Sequence, residues 1–289
     1  MDQFVRASLC SAGIANLLSG CRTMNSTPVS PVRARLVACD SQRPTLVFVH
    51  GVYHDSSAFE EFSSSFVRAG YSTVLIDLPG RTGEPRMRAS SNVGYDDLVR
   101  ATGAAIDSIP GEKMIVGHSL GGLIAVSLAE RSDVKGIVAI ATPLPNAMRG
   151  MRWRLLREFP LQSLAFALTG DASYLYHHDP FTDRYFFSEY TDAIRKNETN
   201  RRAKGICESR LLFRDIMKHD VTPPRRSVPA LVLWAELDQT VTADVAAELA
   251  RLVGGTLAMI PQSGHDIMIE PTADHAVQAI KMWIAGLKP

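Results

Sequence analysis

Lys113-Met114-Ile115-Val116-Gly117-His118-Ser119-Leu120-Gly121-Gly122-Leu123-Ile124-Ala125-Val126 lies near the middle of a 289-residue chain and changes character halfway along. Its first part is a short apolar run, the pattern of a strand covered on both faces. From Leu120 to Glu130 the pattern is that of a helix. Gly117, Gly121 and Gly122 crowd the junction, where side chains would collide with neighbouring backbone. A strand passing at once into a helix is the repeating unit of a parallel sheet, so this stretch assigns the chain to the α/β class.

The same alternation extends outward in both directions. Strands are expected at 32–39, 45–50, 72–78, 113–117, 134–141, 230–235 and 256–260. Helices are expected at 57–69, 95–109, 120–130, 243–253 and 272–287. Ser57-Ala58-Phe59-Glu60 reads as a capping box, and Thr242 as the cap of the helix that Gly254 ends. Right-handed crossovers then give a mostly parallel sheet with helices on both faces. Residues 143–226 break the rhythm: no clear strands, many aromatics, 15 basic and 10 acidic residues. They read as a mainly helical cap inserted into a core of residues 32–142 and 227–289. Most of its aromatics are expected to pack the cap's own interior. With 46% hydrophobic and 21% charged residues the chain is neither disordered nor membrane-spanning, and a net charge of +1 argues against nucleic acid as a partner.

Chemistry concentrates at the junction of the opening stretch. Gly117-His118-Ser119-Leu120-Gly121 between a strand and a helix is the setting of a nucleophile elbow, which holds a serine on a strained turn. The helix behind it aims its N-terminal N–H groups at developing negative charge. With this pattern the chain resembles the α/β-hydrolase superfamily, and three further segments match in the family's order. His50-Gly51 ends an apolar strand and is similar to the family's His-Gly motif, which implies that Val52 and Leu120 supply the oxyanion-hole N–H groups. Asp77-Leu78-Pro79-Gly80 resembles a structural turn of the family. Ala235-Glu236-Leu237-Asp238 resembles the segment that carries the acid, with Ala235 where the family has glycine; this implies Asp238, with Glu236 two residues away as the fallback. Ser263-Gly264-His265-Asp266 resembles the segment that carries the base, which implies His265.

The resemblance therefore implies a Ser119–His265–Asp238 triad and acyl transfer to water through an acyl-serine, on a carboxylic ester or thioester. No cofactor and no metal are called for. The expected partner is a small-molecule or lipid-like acyl substrate. Serine at the nucleophile position argues against relatives that need a carboxylate there. Carbon–carbon bond hydrolases, perhydrolases and lyases of this fold use a similar triad and stay open, as does a ligand-binding protein with a poorly active triad. His54, with Asp55, is a candidate for lining the pocket, with a solvated loop as the alternative; His118 is expected to support the elbow. His177-His178 lacks a third ligand at metal spacing. Arg149, Arg152, Arg154 and Arg157 read as the solvated face of an amphipathic helix, with attraction to anionic substrates or a membrane surface as the alternative.

Residues 1–31 read as a leader or extension. Leu18-Ser19-Gly20-Cys21 resembles a lipoprotein cleavage box, although only Arg6 precedes the apolar run, and Met24 is an alternative start. A cytoplasmic location is the first expectation, anchoring through Cys21 the second. Cys10, Cys21, Cys39 and Cys207 show neither metal spacing nor a disulfide framework. Oligomeric state is not legible.

Overall fold

The computed structural model describes residues 33–37, 43–81, 87–145 and 148–287. The leader, with Cys10, Cys21 and Met24, and the residue Cys39 lie outside them.

In chain order the elements are β1 (Arg33–Val37), β2 (Thr45–Val49), a 3₁₀ turn at Ser56–Phe59, α1 (Glu60–Arg68), β3 (Thr73–Asp77), α2 (Tyr95–Asp107), β4 (Lys113–His118), α3 (Leu120–Leu128) and β5 (Val134–Ile140). Six helices follow: α4 (Met148–Glu158), α5 (Pro160–Thr169), α6 (Ser173–Tyr176), α7 (Asp179–Tyr185), α8 (Ala193–Ala203) and α9 (Arg210–Ile216). The chain then returns to the sheet with β6 (Ala230–Ala235), α10 (Ala243–Val253), β7 (Thr256–Ile260) and α11 (Ala273–Gly286). The seven strands are ordered β1-β3-β2-β4-β5-β6-β7. All neighbours are parallel except β1, which runs antiparallel to β3 at one edge.

Alternation along the strands builds two cores, one on each face. Val47 and Val49 of β2 join Ile115, Leu123 and Ile124 in the layer beneath α2, α3 and α10. Leu46 and Phe48 point the other way, into a layer closed by α1 and α11. There Phe48 meets Phe59, Phe62 and Phe66 at ring centroid distances of 5.2, 6.2 and 5.8 Å. Each such side chain contributes about 1.5–3 kcal/mol by leaving water. Between β5 and β6, Phe159, Leu175, Phe181, Tyr185, Phe186 and Phe187 form a separate apolar cluster.

Two helix starts differ from expectation. No capping box forms at Ser57. Asp55, two residues earlier, accepts the Ser57 N–H at 2.9 Å and the Ser57 hydroxyl as well, and the chain makes a 3₁₀ turn before α1 begins at Glu60. A carboxylate is the stronger acceptor, and it closes a local turn that competes with the cap. Thr242 stands at the start of α10, but its side chain makes no cap bond. Upstream, Asp238 takes the N–H groups of Thr240 and Val241 at 2.6 and 2.9 Å. Among the described residues no helix is long and apolar enough to cross a membrane.

Candidate active site

Strand order changes direction at β2: the chain adds β3 on one side and β4 on the other. Such a switch point opens a crevice at the carboxyl ends of the strands. The loop after β2 and the turn after β4 both end there.

Ser119 follows β4 with φ 51°, a left-handed conformation that costs a side-chain-bearing residue about 1 kcal/mol or more. The turn holds because its N–H donates to the Ile140 carbonyl at 2.9 Å and its carbonyl accepts from Gly122. It fits because the glycines have no Cβ: one on Gly117 would lie 2.1 Å from the Gly121 carbonyl oxygen, and one on Gly121 would lie 2.0 Å from that of Val49. Across the crevice Tyr53 is also left-handed, at φ 56°. The N–H groups of Val52 and Leu120 have no protein acceptor among the described residues, and both residues line the same cavity as Ser119.

Asp238 follows β6 and His265 follows β7. His265 Nδ1 donates to Asp238 Oδ2 at 2.8 Å, with both side chains buried. The other carboxylate oxygen is held by Thr240 and Val241, so the acid is fixed from both sides. Burial pulls the His265 pKa down, but attraction to Asp238 and their hydrogen bond outweigh it and leave it above the usual histidine value. Glu236, the fallback acid, is exposed and accepts the Gln262 N–H instead. With Nδ1 engaged, Nε2 is the ring nitrogen left for the cavity. Ser119 makes no side-chain hydrogen bond to His265 among the described residues; contacts of this kind commonly tighten only with substrate in place.

The other histidines divide by partner. His50 accepts the Leu78 N–H on Nε2 at 3.1 Å and so donates from Nδ1 to the Gly51 carbonyl at 2.8 Å. Burial, with nearby Arg81, drives its pKa down to about 3, and it ties the β2 loop to the Asp77–Gly80 turn as a neutral ring. His118 Nε2 donates to the His265 carbonyl at 3.1 Å, and burial holds its pKa well below the usual value. The residue beside the serine thus anchors the residue that carries the imidazole. His54 is not a solvated loop residue. It is 6% exposed, and both ring nitrogens face acceptors: Nδ1 the Val52 carbonyl at 2.8 Å, Nε2 the Asp266 carboxylate at 3.0 Å. Burial opposes its charge, but Asp266 and the two hydrogen bonds push its pKa up to about 9, and Asp266 is correspondingly lowered. The sequence alone assigns Asp266 no role. Its only local signal is adjacency to His265.

His54, His118 and Asp266 offer ligand atoms within 4.8 Å of one another and are the residues here that could take a cation. The hydrogen bonds just described already occupy both Nε2 atoms. His177 and His178 lie elsewhere: His177 bonds the Ile206 carbonyl at 2.8 Å, and His178 packs on Phe159.

Ser119, His54, His118 and His265 share a narrow cavity of about 40 Å³, walled by Leu123 below and by Tyr176, Phe186, Phe213 and Ile216 from the helices between β5 and β6. A larger cavity of about 330 Å³ lies beyond His54, among ion-paired residues such as Arg195 and Glu61, and does not reach Ser119. Ser119 and His265 both line the smaller one. Arg152 and Arg157 are exposed, as a solvated helix face requires, whereas Arg154 turns inward to lie 5.2 Å from the Tyr185 ring.

A model described as the alpha/beta hydrolase family matches residues 46–277. The chain is 27% identical over 111 residues to protein phosphatase methylesterase 1 of Bos taurus, a match covering 37% of this chain and only 29% of that protein. It is 34% identical over 240 residues to 2-succinyl-6-hydroxy-2,4-cyclohexadiene-1-carboxylate synthase of Escherichia coli K12, covering 77% of this chain and 87% of that one. Among solved structures, an esterase from Exiguobacterium antarcticum superposes with a TM-score of 0.67 at 15% identity, over 91% of this chain and all of the other. That likeness is one of fold.

Proposed function

The chain belongs to the alpha/beta hydrolase family, and from that premise we propose that it is a serine hydrolase cleaving a carboxylic ester or thioester. In this reading residues 32–142 and 227–289 are the catalytic core and residues 143–226 its cap. Ser119 is the nucleophile, His265 the base, Asp238 the acid, and the Val52 and Leu120 N–H groups are the oxyanion hole. The observation that carries it is the buried His265–Asp238 pair, which presents Nε2 to a cavity shared with a strained serine and two free backbone donors.

The chemistry runs in two halves. Ser119 Oγ bonds to the acyl carbon while His265 Nε2 takes its proton, and the carbonyl electrons move onto oxygen. Val52 and Leu120 stabilise that oxyanion, each donor being worth about 3–4 kcal/mol in sites of this kind. Collapse expels the alcohol or thiol, which leaves with the proton from His265. Water repeats the sequence on the acyl-serine, releasing the acid and restoring Ser119. Asp238 keeps the imidazole in the tautomer that accepts at Nε2 and balances its transient charge.

A fluorophosphonate probe tests this directly. Rapid labelling at Ser119, with Ser119→Ala losing both labelling and p-nitrophenyl acetate hydrolysis, is the expected result. A Ser119→Ala protein with full esterase activity sinks the assignment, and an unlabelled wild type favours a binding role. The Escherichia coli relative motivates a synthase or lyase reading. Its named product bears carboxylate groups, whereas the described residues lining this cavity include no lysine or arginine, and the charge on His54 is already met by Asp266. That lining favours a neutral acyl group.

A further inference from the structure

The Val52–Tyr53 peptide is gripped at both edges. Its carbonyl accepts from His54 Nδ1 at 2.8 Å, and its N–H donates to Glu208 Oε1 at 2.9 Å. Glu208 comes from the link between α8 and α9, 155 residues away in the chain. It is 1% exposed, and Arg81 Nη2 reaches both of its carboxylate oxygens, at 2.7 and 2.6 Å. Buried ion pairs are weak sources of stability, so one placed here calls for another reason. Tyr53 supplies it: the left-handed backbone is one a tyrosine avoids, and its ring is pinned by stacking on Tyr176 at 4.3 Å.

We propose that Glu208 is a positioning residue of the oxyanion hole, fixing the Val52–Tyr53 peptide and, through it, the direction of the Val52 N–H. The inference rests on the serine-hydrolase reading above. The donating Gly51–Val52 peptide and the gripped peptide share the Val52 Cα, so immobilising one removes the freedom by which the other swings out of line. A carboxylate suits the task because a charged acceptor makes the stronger bond to an N–H. The segment 143–226 therefore does more than wall the cavity: it completes the geometry of a loop that belongs to β2.

The test compares two double variants that both remove the ion pair. Arg81→Met with Glu208→Gln keeps an oxygen for the Tyr53 N–H; Arg81→Met with Glu208→Leu does not. With p-nitrophenyl acetate, the leucine pair should lose kcat about 100-fold, the scale of one oxyanion donor, with KM within about threefold. A trifluoromethyl ketone, whose adduct with Ser119 carries an oxyanion, should weaken by a similar factor. The glutamine pair should recover at least about tenfold of both losses. Equal kcat and equal ketone affinity in the two folded pairs overturn the proposal. Should the leucine pair not fold, Glu208→Asp keeps Arg81 paired but withdraws the acceptor by one methylene. It must then lower kcat and ketone affinity together at constant KM, and an unchanged folded Glu208→Asp protein overturns the proposal. Fluorophosphonate labelling of the natural chain separates the two failures. Without labelling the hydrolase reading falls and takes this proposal with it; with labelling but indifference to residue 208, only this proposal falls.

Discussion

His265 sits between opposing influences, burial and Asp238, and the second prevails. If His265 is the base it works only when neutral, so kcat/KM should climb with pH through an apparent pKa above about 6.5, the unperturbed histidine value. Asp238→Asn removes the larger attraction and leaves burial opposed by Asp266 alone, so the limb should move to lower pH while kcat falls about 10⁴-fold. A pH–rate profile of the two proteins checks both; a limb that stays in place in the variant would show that Asp238 does not act on the titrating group. At this scale the sequence was legible where a residue carries its own context. Ser119 lies between glycines at a strand–helix junction, and His265 follows Gly264 after the last strand. Nothing near His54 announces Asp266, 212 residues away, and nothing near Tyr53 announces Glu208. Such pairs are made by folding and leave no spacing to read.

The elements were legible because their hydrophobic periods are strong, and their ends were misjudged where side chains compete for the same backbone groups. Asp55 outbids the Ser57–Glu60 box, and β5 stops at Ile140 because Ala141 turns left-handed at φ 44°. The junction of β4 and α3 is the least forgiving element. The neighbour of a Gly121 Cβ would be backbone, the Val49 carbonyl at 2.0 Å, which cannot rotate aside as a side chain would. Gly121→Ala should therefore cost about 3 kcal/mol or more, read as a lower urea midpoint. A stability within about 0.5 kcal/mol of wild type, the scatter of surface substitutions, would mean that the junction can widen.

For the whole molecule, near-neutrality conceals an uneven division, since residues 143–226 carry five more basic than acidic residues and the remainder four fewer. A helical segment is legible there in the sequence, but not where it meets the core, because packing between distant helices has no period in the chain. The structure shows Tyr176, Phe186, Phe213 and Ile216 closing over Ser119, with a cavity of about 40 Å³ left beneath them. A volume of that order holds only a few water-sized groups. On a series of p-nitrophenyl esters, kcat/KM should therefore peak at acetate or propionate and fall by an order of magnitude or more by octanoate; a maximum at long chains would show that those helices move away in solution.

Strand order also bears on the timing of synthesis. Elbow and loop donors follow β4 and β2, whereas acid and base follow β6 and β7, and β7 is the sheet's last strand and lies at its edge. On the proposed reading, a chain leaving the ribosome exposes Ser119 long before any group able to deprotonate it. Until His265 emerges, that hydroxyl is an ordinary alcohol. A product released before Ser263 would carry the nucleophile and both N–H donors yet stay chemically silent, so only a chain translated past His265 can cleave an ester.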